Sequence, residues 1–293
     1  MSSLNIMKSI ILSALMLCTL GVQAQTKLLF FGQKPTDKVS ATPYGANDRA
    51  GHYVQADDAK LYYEVYGEGE PILLLHGGIV GTTYELGRMI DSLKVNHKVI
   101  AMTTRGHGRS EIGHKPLSYE QRANDALAVL NAVTKGSATV IGFSDGAYTS
   151  YKLASMYPDR VKKIVAIGAG ENLNLLRKIV GNRVEYMKKI APEFMDLQMA
   201  LMPEPERLQD HWSAMPDYYN NKMIADKKLF NSIKCPVLLM AGELDPNAPL
   251  DTDIAAYRMI PDCSLAIIAG ARHQAFIDNF DAVWANMLPF LNK

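Results

Sequence analysis

Six short, unbroken apolar runs constrain this chain more than anything else in it: "ILLL" from Ile72, "KVIAM" from Lys98, "ATVIG" from Ala138, "KIVAIG" from Lys163, "VLLMAG" from Val237 and "LAIIAG" from Leu265. A strand with one face in water alternates apolar and polar residues, whereas unbroken runs mark strands covered on both faces. Longer amphipathic segments separate the runs, as helices do when they connect parallel strands. The expected architecture is therefore α/β, a doubly wound and mostly parallel sheet. Two alternating stretches precede the first run, His52 to Ala56 and Leu61 to Tyr66, and with "DDAK" between them they predict an antiparallel hairpin.

The connecting helices carry their own signals. Ser118 and Gln121 form a capping box ahead of "QRANDALAVLNAV", the segment Ala147 to Tyr157 stops at Pro158, and Ala275 to Leu291 closes the chain. One interval breaks the alternation, about 65 residues between Ala169 and Pro236, where connections usually run to about 6. Its apolar positions Leu175, Leu176, Ile179, Val180, Val184, Met187 and Ile190 recur at helical spacing, which predicts a helical insertion or lid over residues 171–232. It also holds Met187, Met195, Met199, Met202, Met215 and Met223. Such residues adapt to varied apolar ligands, though core filling is the commoner use. The remaining organisation is a core over residues 51–170 and 233–293, preceded by an irregular, turn-rich arm at residues 25–50.

Residues 1–24 read as a secretory signal peptide: Lys8, an apolar run from Ile10 to Leu20, then Val22 and Ala24 before the cut. The run is shorter than the roughly 20 residues needed to span a bilayer, so no stable membrane anchor is expected. Export to the periplasm or the medium is. With 31 basic and 30 acidic side chains there is no basic stripe to neutralise phosphates, so nucleic acid is not an expected partner. A small molecule is the expected ligand. After loss of Cys18 with the signal, Cys235 and Cys263 remain, each just before an apolar run. Two buried free thiols are expected rather than a disulfide, because neighbouring strands rarely meet disulfide geometry.

The chemistry centres on "VIGFSDGAY". Ser144 stands between Gly142 and Gly146, at the corner between an apolar run and a helical pattern. Such a corner lifts a hydroxyl clear of the sheet, and its flanking residues must be small because strand and helix approach closely. A serine hydroxyl needs a base, and the base an orienting acid. His273, in "AGARHQAF", follows the last apolar run and lies on the carboxyl edge of the sheet, where α/β proteins build their sites. His76 and His107 sit in Gly-rich corners suited to bracing loops, and His52, His97, His114 and His211 lie elsewhere. Asp245, in "GELDPNAP", is the candidate acid, with Glu243 its nearest rival; Asp251 and Asp253 read as first-turn acids of the next helix. The candidate oxyanion donors are the backbone N–H of Asp145 and that of Gly78 after "ILLLHGG", with Ile79 the alternative. The Asp145 side chain has two readings, a contact to a polar or cationic substrate group or a first-turn acid.

Taken together, "LLLHGG", "RGHGRS" (Arg105 to Ser110), "GFSDG", "GELD" and "ARH" resemble the α/β-hydrolase fold superfamily in motif and in order, over roughly Gly51 to the end. The resemblance implies an eight-stranded sheet with a lid inserted after the sixth strand. It also implies a Ser144, Asp245 and His273 triad with Gly78 and Asp145 as oxyanion hole. Relatives with "SDG" include hydrolases of aminoacyl esters. Many relatives carry an aspartate near "RGHGRS", where this chain has Thr103 and Thr104. The activity expected is that of a serine esterase; C–C bond hydrolysis, lactone opening and perhydrolysis use the same triad, and a non-catalytic small-ligand binding protein is the alternative of another class. No metal cluster or dinucleotide fingerprint is present in the sequence, so no cofactor is expected.

Overall fold

The computed structural model describes residues 28–173, 178–181 and 183–293. The expected signal peptide lies outside these residues, as do Leu175 and Leu176 of the expected insertion helix. In chain order the elements are β1 (Gly51–Ala56), β2 (Ala59–Tyr66), β3 (Glu70–Leu75), α1 (Gly87–Leu93), β4 (His97–Met102), α2 (Tyr119–Val133), β5 (Ala138–Phe143), α3 (Asp145–Met156) and β6 (Val161–Ile167). The chain continues through α4 (Val184–Ile190), α5 (Pro192–Leu201), α6 (Leu208–Asp217), α7 (Lys227–Ser232), β7 (Val237–Gly242), α8 (Leu250–Met259), β8 (Cys263–Ile268), α9 (Ala275–Asp278) and α10 (Phe280–Leu291).

The eight strands form one sheet in the order β1-β2-β4-β3-β5-β6-β7-β8. β1 pairs antiparallel with β2 and β2 with β4; every pairing from β4 through β8 is parallel. Five of the six unbroken runs are buried on both faces, with successive residues sent to opposite sides as the pleat requires; the sixth, in the edge strand β8, is covered on one face only, with Ala266 and Ile268 buried and Ile267 47% exposed. Leu73, Leu75, Val140, Ile164 and Leu239 pack toward α2, α3 and α7, while Ile72, Leu74, Ile141, Val165 and Leu238 pack toward α1 and α10. The strand order reverses at β3, which has β4 on one side and β5 on the other. Crevices at the carboxyl ends of strands beside such a point are where open α/β sheets bind ligands.

Several local expectations need correction. The hairpin turn is two residues, Asp57 and Asp58, rather than four, with Asp57 at φ +54°. Only half of the capping box forms: the Ser118 hydroxyl accepts the Gln121 N–H at 3.0 Å, but Gln121 Oε1 meets no donor. The closing helix is two helices, because Asn279 leaves helical geometry and its side chain caps α10 by accepting the Ala282 N–H at 3.1 Å. The expected helix through Ile190 begins only at Val184, and residues 178–181 are irregular. Val180 and Ile190 are exposed, so the apolar spacing there did not report one buried face. Cys235 and Cys263 are free but only half-buried, and burial pushes their thiols up to about 11 and about 12.

Candidate active site

Ser144 occupies the corner between β5 and α3 with φ +51° and ψ −118°, a conformation that L-residues rarely adopt. The neighbouring glycines are a steric necessity. A Cβ at Gly142 would lie 2.3 Å from the Gly146 carbonyl oxygen, and one at Gly146 would lie 2.4 Å from that of Leu75. The corner is pinned because Ser144 N–H donates to the Ile167 carbonyl at 2.8 Å, extending the β5–β6 pairing by one residue.

The three residues of the expected triad meet, although they come from three strand ends. His273 Nε2 is 2.9 Å from Ser144 Oγ, and His273 Nδ1 is 2.7 Å from Asp245 Oδ2. The other carboxylate oxygen, Oδ1, accepts the N–H groups of Asn247 at 2.7 Å and Ala248 at 2.9 Å. Asp245 is thus buried and held by three donors, an arrangement that fixes the imidazole with its Nδ1 proton toward Asp245 and its Nε2 lone pair toward the serine. Glu243 points away to the exposed turn, where it accepts the Gly270 N–H at 2.8 Å. Asp251 and Asp253 lie in the first turn of α8.

Among the described residues, the N–H groups of Gly78, Ile79 and Asp145 meet no acceptor, which leaves all three free to face a ligand oxygen. Ile79 has φ +57°, a genuine outlier for a β-branched residue, and such backbone strain concentrates at functional sites. These groups, Ser144 and His273 line one cavity of about 340 Å³, within the range of small-molecule sites. Ile79, Val80, Ile179 and Met223 make much of its wall apolar. Met223 is the only one of the six insertion methionines on that wall; Met187, Met195 and Met202 fill a small core of the insertion with Phe194 and Trp212.

The Asp145 side chain faces a cation of the protein itself. Its carboxylate is buried, 3.7 Å from the Arg122 Nε, and Oδ1 accepts the Tyr218 hydroxyl at 3.3 Å. Burial raises the Asp145 pKa and the Arg122 guanidinium opposes that rise. Tyr218 and Tyr219 sit on a π-helical turn, Tyr218–Lys222, that follows α6. His76 and His107 are buried in loops. The His76 ring is 2.6 Å from the Gly77 carbonyl through Nδ1 and accepts the Thr104 N–H at 3.0 Å through Nε2, and burial lowers its pKa to about 4. Thr103 shares a hydroxyl hydrogen bond of 2.9 Å with Thr83, so threonines knit the loop where many relatives have an aspartate.

Sequence reasoning missed Arg122, Tyr218 and Glu85. Glu85 is buried at the cavity and joins both sides of the site. Its Oε1 accepts the Gly77 N–H at 3.2 Å, and its Oε2 accepts the side-chain amide of Gln274, next to His273, at 2.8 Å. Burial raises its pKa to about 7, partly offset by the bonds from Gly77, Gln274 and Thr82. In the unfolded chain Glu85 titrates near the ordinary value of about 4.3, so between there and about 7 the folded protein holds the extra proton. Stability then falls as pH rises through that window. Glu85→Gln is expected to remove about 2–3 kcal/mol of this loss between pH 5 and pH 8. Urea midpoints of parent and variant that stay parallel across that range would refute the assignment.

A sequence profile of the alpha/beta hydrolase fold matches residues 70–201, and the eight-stranded sheet with its corner serine has that architecture: the chain has the α/β-hydrolase fold. Its curated relatives include the AB hydrolase superfamily protein YisY of Bacillus subtilis, 23% identical over 83% of this chain and 100% of that one. The 2-hydroxy-6-oxo-6-phenylhexa-2,4-dienoate hydrolase of Comamonas testosteroni is 24% identical over 80% of this chain and 92% of its own length. Among solved structures, the serine hydrolase CarC of carbazole degradation superposes with a TM-score of 0.70, at 21% identity, over 83% of this chain and 98% of its own.

Proposed function

We propose that the protein is a serine hydrolase that cleaves a small ester, with Ser144 as nucleophile, His273 as general base and then acid, and Asp245 as the orienting carboxylate. The observation that carries this reading is the continuous hydrogen-bond path from Asp245 through His273 to Ser144, at 2.7 and 2.9 Å, opening on the cavity. As Ser144 Oγ attacks the ester carbonyl, its proton passes to His273 Nε2. The imidazolium formed is stabilised by the Asp245 carboxylate, and the carbonyl oxygen, now an anion, is met by the N–H groups of Asp145 and Gly78. Collapse expels the alcohol, which takes the proton from His273 and leaves an acyl-serine. Water, deprotonated by the same histidine, then releases the acid. Each backbone donor contributes about 3 kcal/mol to the transition state on the scale of measured oxyanion holes. In this reading the helices of residues 171–232 act as a lid, and the enzyme works outside the cytoplasm after removal of residues 1–24.

The test is turnover of p-nitrophenyl esters from acetate to octanoate, with stoichiometric labelling by an alkyl fluorophosphonate. The expected results are hydrolysis that disappears on labelling, the phosphonate mass on the "GFSDG" peptide, and a periplasmic chain whose mass begins at Gln25. No label on Ser144 would remove the nucleophile. Labelling without cleavage of any ester would move the substrate to a C–C bond or to a lactone.

A further inference from the structure

The amino-terminal arm lies before residue 70, where the family match begins, yet it reaches the cavity. Residues Phe30 to Gln33 make a tight turn: the Gln33 N–H donates to the Phe30 carbonyl at 3.2 Å, and the Gln33 side chain accepts the Phe30 N–H at 3.3 Å. Gly32, with φ +77°, supplies the left-handed residue that such a corner requires. The turn splits its neighbours between two environments. Leu28 and Phe30, 5% and 4% exposed, are buried in the layer between the sheet and α1 and α10, whereas Phe31 stands at the tip of the turn, half-buried, against the insertion.

There the Phe31 ring meets Phe194 of α5 edge to face, with centroids 5.8 Å apart, and joins Ile79 and Val80 in the cavity wall. Further along, the arm is tied to the core. The buried Glu64 carboxylate accepts the N–H groups of Gly45 at 2.9 Å and Asn47 at 2.8 Å, and the Ser40 carbonyl accepts the Tyr84 hydroxyl at 2.9 Å. An aromatic ring on a hydrogen-bonded turn, fixed against both core and insertion, is a rigid stop. We infer that Phe31 is a specificity-determining residue, the end wall that sets how long an apolar chain the site accepts. This rests on the reading of the same cavity as a hydrolase site.

The experiment has two parts. In the first, kcat/KM is measured over the p-nitrophenyl ester series for the parent, Phe31→Ala and Phe31→Trp, with Phe31→Leu standing in should the alanine variant fail to fold. Phe31→Ala is expected to move the optimum by two or more carbons toward longer chains, raising the octanoate-to-acetate ratio about tenfold, as two buried methylenes imply. Phe31→Trp is expected to shorten it. In the second part, binding of straight-chain carboxylates from acetate to decanoate is measured by calorimetry on the Ser144→Ala and Ser144→Ala/Phe31→Ala proteins, where no turnover is needed. The longest chain bound is expected to increase in the double variant. Ester cleavage with an unmoved optimum in every Phe31 variant, all rates falling together, would overturn the wall and leave the hydrolase. A shift in carboxylate binding with no ester cleaved by the parent would overturn the esterase reading and leave the wall. Neither binding nor cleavage would overturn both.

Discussion

Turnover by an Asp245→Asn variant is expected to fall about 10⁴-fold while the fold is kept. The site allows the new amide two orientations, and both fail. With its NH₂ toward His273 Nδ1, it forces the imidazole into the tautomer protonated at Nε2, so the nitrogen 2.9 Å from Ser144 can no longer accept a proton. With its oxygen toward Nδ1, the NH₂ confronts the N–H groups of Asn247 and Ala248, which now donate to Oδ1 at 2.7 and 2.9 Å. Two backbone donors, that of Ala248 buried, would then face a third, at a cost of about 1–3 kcal/mol for a buried one left unpaired. The first orientation is therefore the lower in energy and the inactive one. A variant within tenfold of the parent on the best ester, with an unchanged urea midpoint, would show that another group orients His273.

Replacing Arg122 with methionine is expected to lower stability by about 3–5 kcal/mol, the usual cost of breaking a buried ion pair by removing one partner. Both partners are almost wholly inaccessible, at 2% and 1% side-chain exposure, so water cannot take over the cation's role. Burial works most strongly against the Arg122 charge, yet Asp145, Tyr218, Tyr219 and Asp125 together outweigh it and the guanidinium pKa is raised. Without it Asp145 keeps only the Tyr218 hydroxyl at 3.3 Å. Its carboxyl would then favour the protonated form, so the penalty is smallest in acid and grows as pH rises toward neutrality. The double variant Arg122→Met/Asp145→Asn removes both charges of the pair and is expected to recover most of the loss. Urea unfolding of the three proteins at pH 5 and pH 8 checks this; a single variant within 1 kcal/mol of the parent would show that the pair contributes little. Catalysis should suffer too, since the N–H of Asp145 is a candidate oxyanion donor, and an unpaired carboxylate on the same residue would repel the charge developing beside it.

The parts of this molecule that were legible in advance are those written in local patterns. The unbroken run "ILLL" announced a strand with two covered faces, and the glycines around Ser144 announced a crowded corner. Ser144, Asp245 and His273 could be chosen because each follows an apolar run, which places all three on one sheet edge. Helix boundaries in the insertion were harder, because Val180 and Ile190 keep the spacing of a buried face while standing in solvent. The partner of Asp145 was not legible at all. Arg122 and Tyr218 belong to α2 and to the turn after α6, and nothing in the local spacing of either reports a contact made only when three elements pack together. Phe31 was hidden for the same reason, in a segment with no period to read. Glu85 carried no local signal that singled it out; its burial follows from the way the Gly77 loop and Gln274 close over it.

The hydrogen bond between Ser144 and His273 joins residues 129 positions apart, and it has a consequence for the life of the chain. Closing so long a loop is entropically unfavourable until β7 and β8 have docked and brought the histidine alongside. Domains emerge from the ribosome amino-terminal end first. On the mechanism proposed above, a nascent chain therefore carries Ser144 long before it owns the imidazole that would activate it, and it would remain chemically silent until the last strand is synthesised and in place.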